Sequence, residues 1–324
     1  MKLASIDSIR QSYPHIYLSP HMDDAVLSCG GRIAMQVSRG ERVLVVTVFS
    51  GIDDTRAASI PFVSSKNLRA LQAEDDAALG RLEVDHLRLD YRDGAFRQRF
   101  PLLRYGLHLH AEKRFADMLK PIRTELEQIC SAAACRNLYV PLGIGQHIDH
   151  HLAYRIGDHL RQKPVNPPSV RLYEDIPYVF IPHALDHRLR AIGLAALPKP
   201  CGQPSIHEQI MAVYRSVRHL PSVTRDRFLR KGVLLVALSA GIVCMEAVGR
   251  WTRYHGNERL QPEVVDAAPF FEVKVAAIRD YRSQAQLFFE SEGALRGSLM
   301  QYSLDIGGAA GQYLERCWKK IGRD

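Results

Sequence analysis

At 324 residues, 46% of them apolar and 24% charged, the chain is too apolar for wholesale disorder and long enough for one large domain or two ordinary ones. The formal charge of +8 suits an acidic partner, but the 43 basic residues form no dense block, so no nucleic-acid tract is expected. Cys29, Cys130, Cys135, Cys201, Cys244 and Cys317 make no CxxC pair and read as reduced core thiols of a cytoplasmic protein, not as a disulfide framework or a zinc ribbon.

In chain order, the first residues carry one early Lys and no apolar run of the signal-peptide kind. "IYLSP" (16–20) predicts a short buried strand, and 23–40 a helix that starts on carboxylates and stops at Gly40. Its internal Gly30-Gly31 pair lowers helix propensity and predicts close packing onto the sheet. The β-branched run 42–51 is a strand, and 64–80 a helix opening on Ser and closing on Gly. A strand at 84–90 precedes a helix over 110–133, broken or kinked near Pro121. A strand at 137–143, a helix at 149–162 and a strand at 169–177 follow. Strands alternating with helices predict right-handed βαβ units and an α/β fold with a mostly parallel sheet flanked by helices. Beyond residue 180 the pattern loosens into a loop at 199–205, helices near 206–217 and 223–250, an amphipathic helix over 270–290 and a short basic tail. The apolar run 232–245 has the length of a buried core helix and falls short of a membrane span. One domain over 1–324, with a helical insertion around 180–265, is the simplest partition.

Two stretches carry chemistry. "SPHMDD" follows the first long strand, and "PLGIGQHIDHH" follows the strand at 137–143. In parallel α/β sheets functional groups collect at the carboxyl ends of strands. His21 with Asp23 and Asp24, and His147 with Asp149 and His150, are the imidazole and carboxylate types that suit zinc. Each cluster alone favours helix capping, because Asp at a helix start is common and surface histidines are unremarkable. Two such clusters at two strand-to-helix junctions are less expected by chance, although spacing alone assigns no ligand set.

The chain resembles the PIG-L/LmbE-like family of zinc-dependent N-deacetylases, which act on N-acetylglucosaminyl and related amides. The blocks "PHMDDA" and "HIDH" carry the likeness, with fainter echoes in "LRALQAEDDAALG", "YEDIPY" (173–178), "KVAAIRDYRSQ" and "ERCW". The poorest match is the region around 180–265. The resemblance implies a Rossmann-like, LmbE-like fold with an additional helical region in the C-terminal third. It implies Zn2+ on His21, Asp24 and His150, Asp23 as general base, and His147 stabilising the tetrahedral intermediate with Asp149 orienting or tuning it. The implied reaction removes an N-acetyl group from an amino sugar or sugar-containing metabolite, so the implied partner is a small N-acetylated sugar or glycoconjugate. Ala25 stands where many members carry Glu, and Met22 where many carry Pro; Ala25 removes a possible outer acceptor but neither a ligand nor the base. Two rival readings are a zinc amidase cleaving a larger acyl or thiol conjugate, and a non-catalytic sugar-binding protein of the same fold. The sequence assigns no oligomeric state.

Other residues carry weaker expectations. Ser50, Asp53, Asp54 and Arg56 could hold sugar hydroxyls or form an ordinary polar turn. Arg69 could meet the substrate or pair with Glu74 across a helix turn, and the structural role is the one expected. Glu174 and Asp175 are expected to wall the site, and His151 to pack away from it.

Overall fold

Runs of apolar and β-branched residues, alternating in the face they present, build a sheet buried on both sides. The computed structural model describes residues 1–52, 65–97, 115–163, 166–181, 184–193 and 259–321. Within them lie β1 (Lys2–Leu3), β2 (His15–Ser19), α1 (Asp24–Ser38), β3 (Val43–Thr47), α2 (Ser65–Arg81), β4 (Asp85–Arg88) and α3 (Gly94–Arg97). There follow α4 (Ala116–Ala132), β5 (Asn137–Pro141), α5 (Ile148–Arg161), β6 (Ser169–Tyr173) and α6 (Ala184–Ala191). The C-terminal part holds β7 (Arg259–Asp266), α7 (Phe271–Asp280), α8 (Arg282–Phe288), α9 (Glu292–Asp305) and β8 (Leu314–Ile321).

The eight strands run in the order β1-β4-β3-β2-β5-β6-β8-β7. Pairings from β1 through β6 are parallel, and β8 is antiparallel to both β6 and β7. Ile16, Leu18, Leu44, Val46, Leu138 and Val140 face one core, shared with α4 and α5 through Ile122, Leu126, Leu152 and Ile156. Tyr17, Val43, Val45 and Tyr139 face the other, shared with α1, α2 and α7 through Ile33, Leu79 and Ile278. Burial on both faces is what a parallel sheet requires. After β2 the chain winds outward through β3 and β4. It then returns to lay β5 on the other flank of β2, which makes β2/β5 the switch point where such sheets bind ligands.

The expected strands and helices up to 173 recur with shifted ends. Pro121 lies inside a continuous α4 instead of breaking it. The Gly pair admits both α7 and the sheet strand β8: a Cβ on Gly30 would meet Lys274 Cγ at 3.0 Å, and one on Gly31 would meet Glu315 Oε1 at 2.8 Å. The helix expected over 270–290 divides at Tyr281, whose backbone (φ −78°, ψ 64°) leaves the helical region. The expected helical region around 180–265 ends in β7, and the basic tail is β8; their antiparallel pairing extends the sheet. The apolar run 232–245, and the remainder of that region from 194 to 258, lie outside the described residues. No helix among the described residues is long and apolar enough to cross a membrane.

Candidate metal centre

The loop from β2 into α1 is stitched by short-range hydrogen bonds. Ser19 Oγ donates to the His21 carbonyl and accepts from Ala25 N, while His21 N donates to Asp24 Oδ2 at 2.8 Å. Asp23 occupies the N-cap position of α1, yet its side chain makes no capping hydrogen bond. Capping therefore does not account for Asp23. Its carboxylate is only 6% exposed and sits beside Asp24, so burial first, and then the Asp24 charge, pushes it upward. For Asp24 burial acts in the same sense, but the His150 charge and the His21 hydrogen bond outweigh it and hold the carboxyl below its ordinary range.

Asp24 is flanked by two imidazoles: His21 Nδ1 lies 3.3 Å from its Oδ2, and His150 Nε2 lies 3.4 Å from its Oδ1. His150 is 1% exposed. Its Nδ1 donates to Asp175 Oδ1 at 2.6 Å, and its Nε2 is a buried polar atom with no hydrogen-bond partner. A buried orphan of this kind needs an explanation. A metal ion supplies one, because a ligating imidazole turns one nitrogen to the metal and its other N–H to a carboxylate. His21 follows the same plan. Its Nε2 faces Asp149 Oδ2 at 3.1 Å and Asp93 Oδ2 at 3.4 Å, and its Nδ1 faces Asp24. Burial opposes charge on His21, but Asp93, Asp24 and Asp23 outweigh it and push the imidazole up to about 9.

The second cluster arrives from the β5 end. Gly143 and Gly145 both adopt φ near +84°, a region that suits glycine, and the Tyr178 ring fills the space a Cβ on Gly145 would need. Asp175 Oδ2 accepts from Gly143 N at 2.8 Å and Ile144 N at 2.9 Å, so one carboxylate fixes both this turn and His150. His147 caps α5: its Nδ1 accepts from Asp149 N at 3.3 Å. The neutral ring therefore carries its proton on Nε2. The rings of His21, His147 and His150 lie 4.9 to 5.5 Å apart, centroid to centroid.

Thus His21, Asp24, His147, Asp149 and His150 converge from two strand ends, with Asp23 beside Asp24. Asp149, expected to orient or tune His147, meets it through its backbone N–H. Its carboxylate instead faces His21 and accepts from Gly94 N (2.7 Å) and from Arg97. Ser50 Oγ pairs with Asp90 across the ends of β3 and β4, while Asp53, Asp54 and Arg56 lie outside the described residues. Glu74 accepts from Ser283 Oγ at 2.7 Å. Glu174 turns away from the site to Trp318, Arg316 and Tyr302. His151 packs beside Arg188, and Ala25 is buried in the apolar cluster under α1. Asp175, expected as part of the site wall, meets His150, and Asp93, for which the sequence carries no expectation beyond a turn, meets His21.

Among the described residues, ligand-type atoms come within 4.8 Å of one another in two groups, His21–His147–His150 and His21–Asp93–Asp149. Both share His21, so they describe one centre and its outer carboxylates.

Residues 16–160 match the family model of the GlcNAc-PI de-N-acetylases, PIG-L. A 2'-N-acetylparomamine deacetylase from Niallia circulans is 26% identical over 192 residues, which are 50% of this chain and 66% of that protein. Among solved structures, the zinc-inhibited form of teicoplanin deacetylase Orf2 superposes with a TM-score of 0.63 at 20% identity, covering 95% of this chain and 98% of that one. The A40926 pseudoaglycone deacetylase Dbv21 gives 0.60 at 18% identity, covering 96% and 98%. At these identities the structural likeness establishes the fold.

Proposed function

We propose that this chain, whose residues 16–160 match the GlcNAc-PI de-N-acetylase family model, is a zinc-dependent hydrolase removing the N-acetyl group from an amino sugar or sugar-containing metabolite. The observation that carries the reading is His150: its buried Nε2 makes no hydrogen bond, lies 3.4 Å from Asp24 Oδ1, and belongs to a ring fixed from behind by Asp175. The ligand set is His21, Asp24 and His150. His147 is the poorer third ligand because its Nδ1 accepts a hydrogen bond, which leaves the proton on Nε2 where a lone pair would be needed, and a carboxylate offsets the dication's charge where a third imidazole would not.

When bound, zinc polarises the amide carbonyl and acidifies a water. The residues do the rest. Asp23, uncapped and raised by burial, accepts a proton from the attacking water. His147 presents Nε2–H to the oxygen that becomes negative in the tetrahedral intermediate. Asp149 and Asp175 hold His21 and His150 so that neither imidazole reorients during turnover. The amine leaves after protonation, and the proton gathered by Asp23 is available for it. The test is metal analysis of the purified protein together with a screen of N-acetylated sugars, free, lipid-linked and nucleotide-linked. Stoichiometric zinc and released acetate are expected; release of a larger acid, or of no acid at all, would overturn the substrate class.

A further inference from the structure

Tyr281, between α7 and α8, is 1% exposed, and its hydroxyl lies 2.7 Å from the Met22 carbonyl oxygen and 2.7 Å from Asp75 Oδ1. A phenol has one proton to donate, and a carbonyl has none. If Tyr281 donates to Asp75, two oxygens without a proton between them face each other at the Met22 contact. Both contacts become hydrogen bonds only when the phenol proton goes to Met22 and a proton on Asp75 goes to the phenol. The second carboxylate oxygen, Asp75 Oδ2, is taken by Arg88 Nη2 at 2.5 Å and Nε at 3.2 Å, which leaves Oδ1 for the proton.

A charge count agrees. Arg88 faces two carboxylates, Asp75 and Asp76. Asp76 is 44% exposed at its side chain, also meets His86 Nε2 at 2.9 Å, and is held low by Arg88 against the effect of burial. It is the natural partner for the single cation. Asp75 is fully buried, and burial pushes it up to about 6 in spite of Arg88. The groups packed around it are Arg88 on β4, Asp76 on α2 and Tyr281 at the α7–α8 junction, with the Asp23 charge bearing on Tyr281 from the α1 end.

We infer that Asp75 is a neutral carboxylic acid that donates to Tyr281, and that the pair clamps the Met22 carbonyl and so fixes the direction in which Asp23 leaves the loop. Tyr281 is a positioning residue: it acts through the Met22 carbonyl, which immediately precedes Asp23, and so on the placement of the proposed base for proton transfer. The kinetic part of this inference rests on the deacetylase reading; the protonation part does not.

Infrared difference spectra of the metal-loaded protein, wild type minus Asp75→Asn at about pH 5.5, test the proton directly. An ordinary aspartic acid, with pKa about 3.9, is almost wholly ionised there. A carboxylic-acid carbonyl band present in wild type and absent from Asp75→Asn is expected; no such band overturns the inference. In turnover, the Asn carboxamide donates N–H to Tyr281 while its oxygen accepts from Arg88, so it reproduces the pattern of the neutral acid. Asp75→Asn should keep kcat within about threefold of wild type, whereas Tyr281→Phe should lose roughly ten- to a hundredfold in kcat with KM and zinc content unchanged. Equal losses in the two variants, or wild-type kcat in Tyr281→Phe, would overturn the clamp. If wild type itself releases no acetate, the deacetylase reading fails and the infrared band still decides the state of Asp75.

Discussion

Asp23→Asn separates catalysis from metal binding. The carboxylate of Asp23 caps no backbone N–H of α1, so the amide replaces it without loss of a helix cap. Asp24 keeps its contacts of 3.3 Å to His21 and 3.4 Å to His150, so the proposed ligand set is untouched. The change also removes one of two adjacent buried carboxylates, which repel each other, so the metal-free fold should be no less stable. What is lost is basicity, worth on the order of a hundredfold to ten-thousandfold in rate, or roughly 3 to 5 kcal/mol of barrier. Zinc content by elemental analysis, measured beside turnover for Asp23→Asn and Asp24→Asn, is the assay. Asp23→Asn should retain zinc and turn over far more slowly, and Asp24→Asn should lose both. Loss of zinc from Asp23→Asn with retention in Asp24→Asn would exchange the two roles. Near-wild-type turnover in Asp23→Asn would refute the general-base assignment outright.

Three further outcomes follow from the same geometry. Asp175→Asn replaces the acceptor that fixes His150 Nδ1 at 2.6 Å and should weaken zinc binding by about ten- to a hundredfold in a chelator competition; unchanged affinity would remove His150 from the ligand set. His21, raised from an ordinary 6.5 to about 9, stabilises the metal-free fold fully below 6.5 and loses that contribution as pH rises through about 9. Zinc must displace this proton, so affinity should climb with pH up to about 9, and calorimetry in buffers of different ionisation enthalpy should register proton release; pH-independent affinity would contradict it. Gly145→Ala puts a Cβ into the Tyr178 ring at a residue with φ +84°, which should cost about 2 to 4 kcal/mol in chemical denaturation, whereas wild-type stability would show that the turn relaxes freely.

The fold was legible wherever one strand followed one helix. "VLVVT" and "NLYVP" fill β3 and β5 with residues that suit strands buried on both faces, and their flanking helices show helical spacing. It was not legible where long-range pairing decides. "LERCWKKI" reads as a basic tail because Lys319 and Lys320 break its apolar pattern, yet it becomes β8 by pairing with both β6 and β7. Lys320 reaches Asp158 of α5, and Arg316 reaches Glu174, so its charged side chains are tied down by partners more than a hundred residues away in sequence. No local window contains those partners.

The same distinction explains the candidate site. His21, Asp23, Asp24, His147 and His150 are legible because each group is compact in sequence and stands just after a strand. The carboxylates that meet them or their loop lie outside both blocks: Asp93 after β4, Asp175 after β6 and Asp75 within α2. An Asp after a strand is commonly a turn residue, so the sequence expects Asp175, beside Glu174, as part of a site wall but does not name the histidine it meets. The strand order does. With β5 beside β2 and β6 beside β5, the ends of three strands adjoin one another, and Asp175 is brought to His150 by parallel pairing rather than by sequence. Asp149 shows how far this goes. Its place in "HIDH" suggests that it serves its neighbour His147, but the helical turn points its carboxylate across the switch point to His21, a residue on the other strand end. Each proposed ligand histidine is thus braced by carboxylates from outside its own loop, so moving either strand end would disturb both imidazoles together.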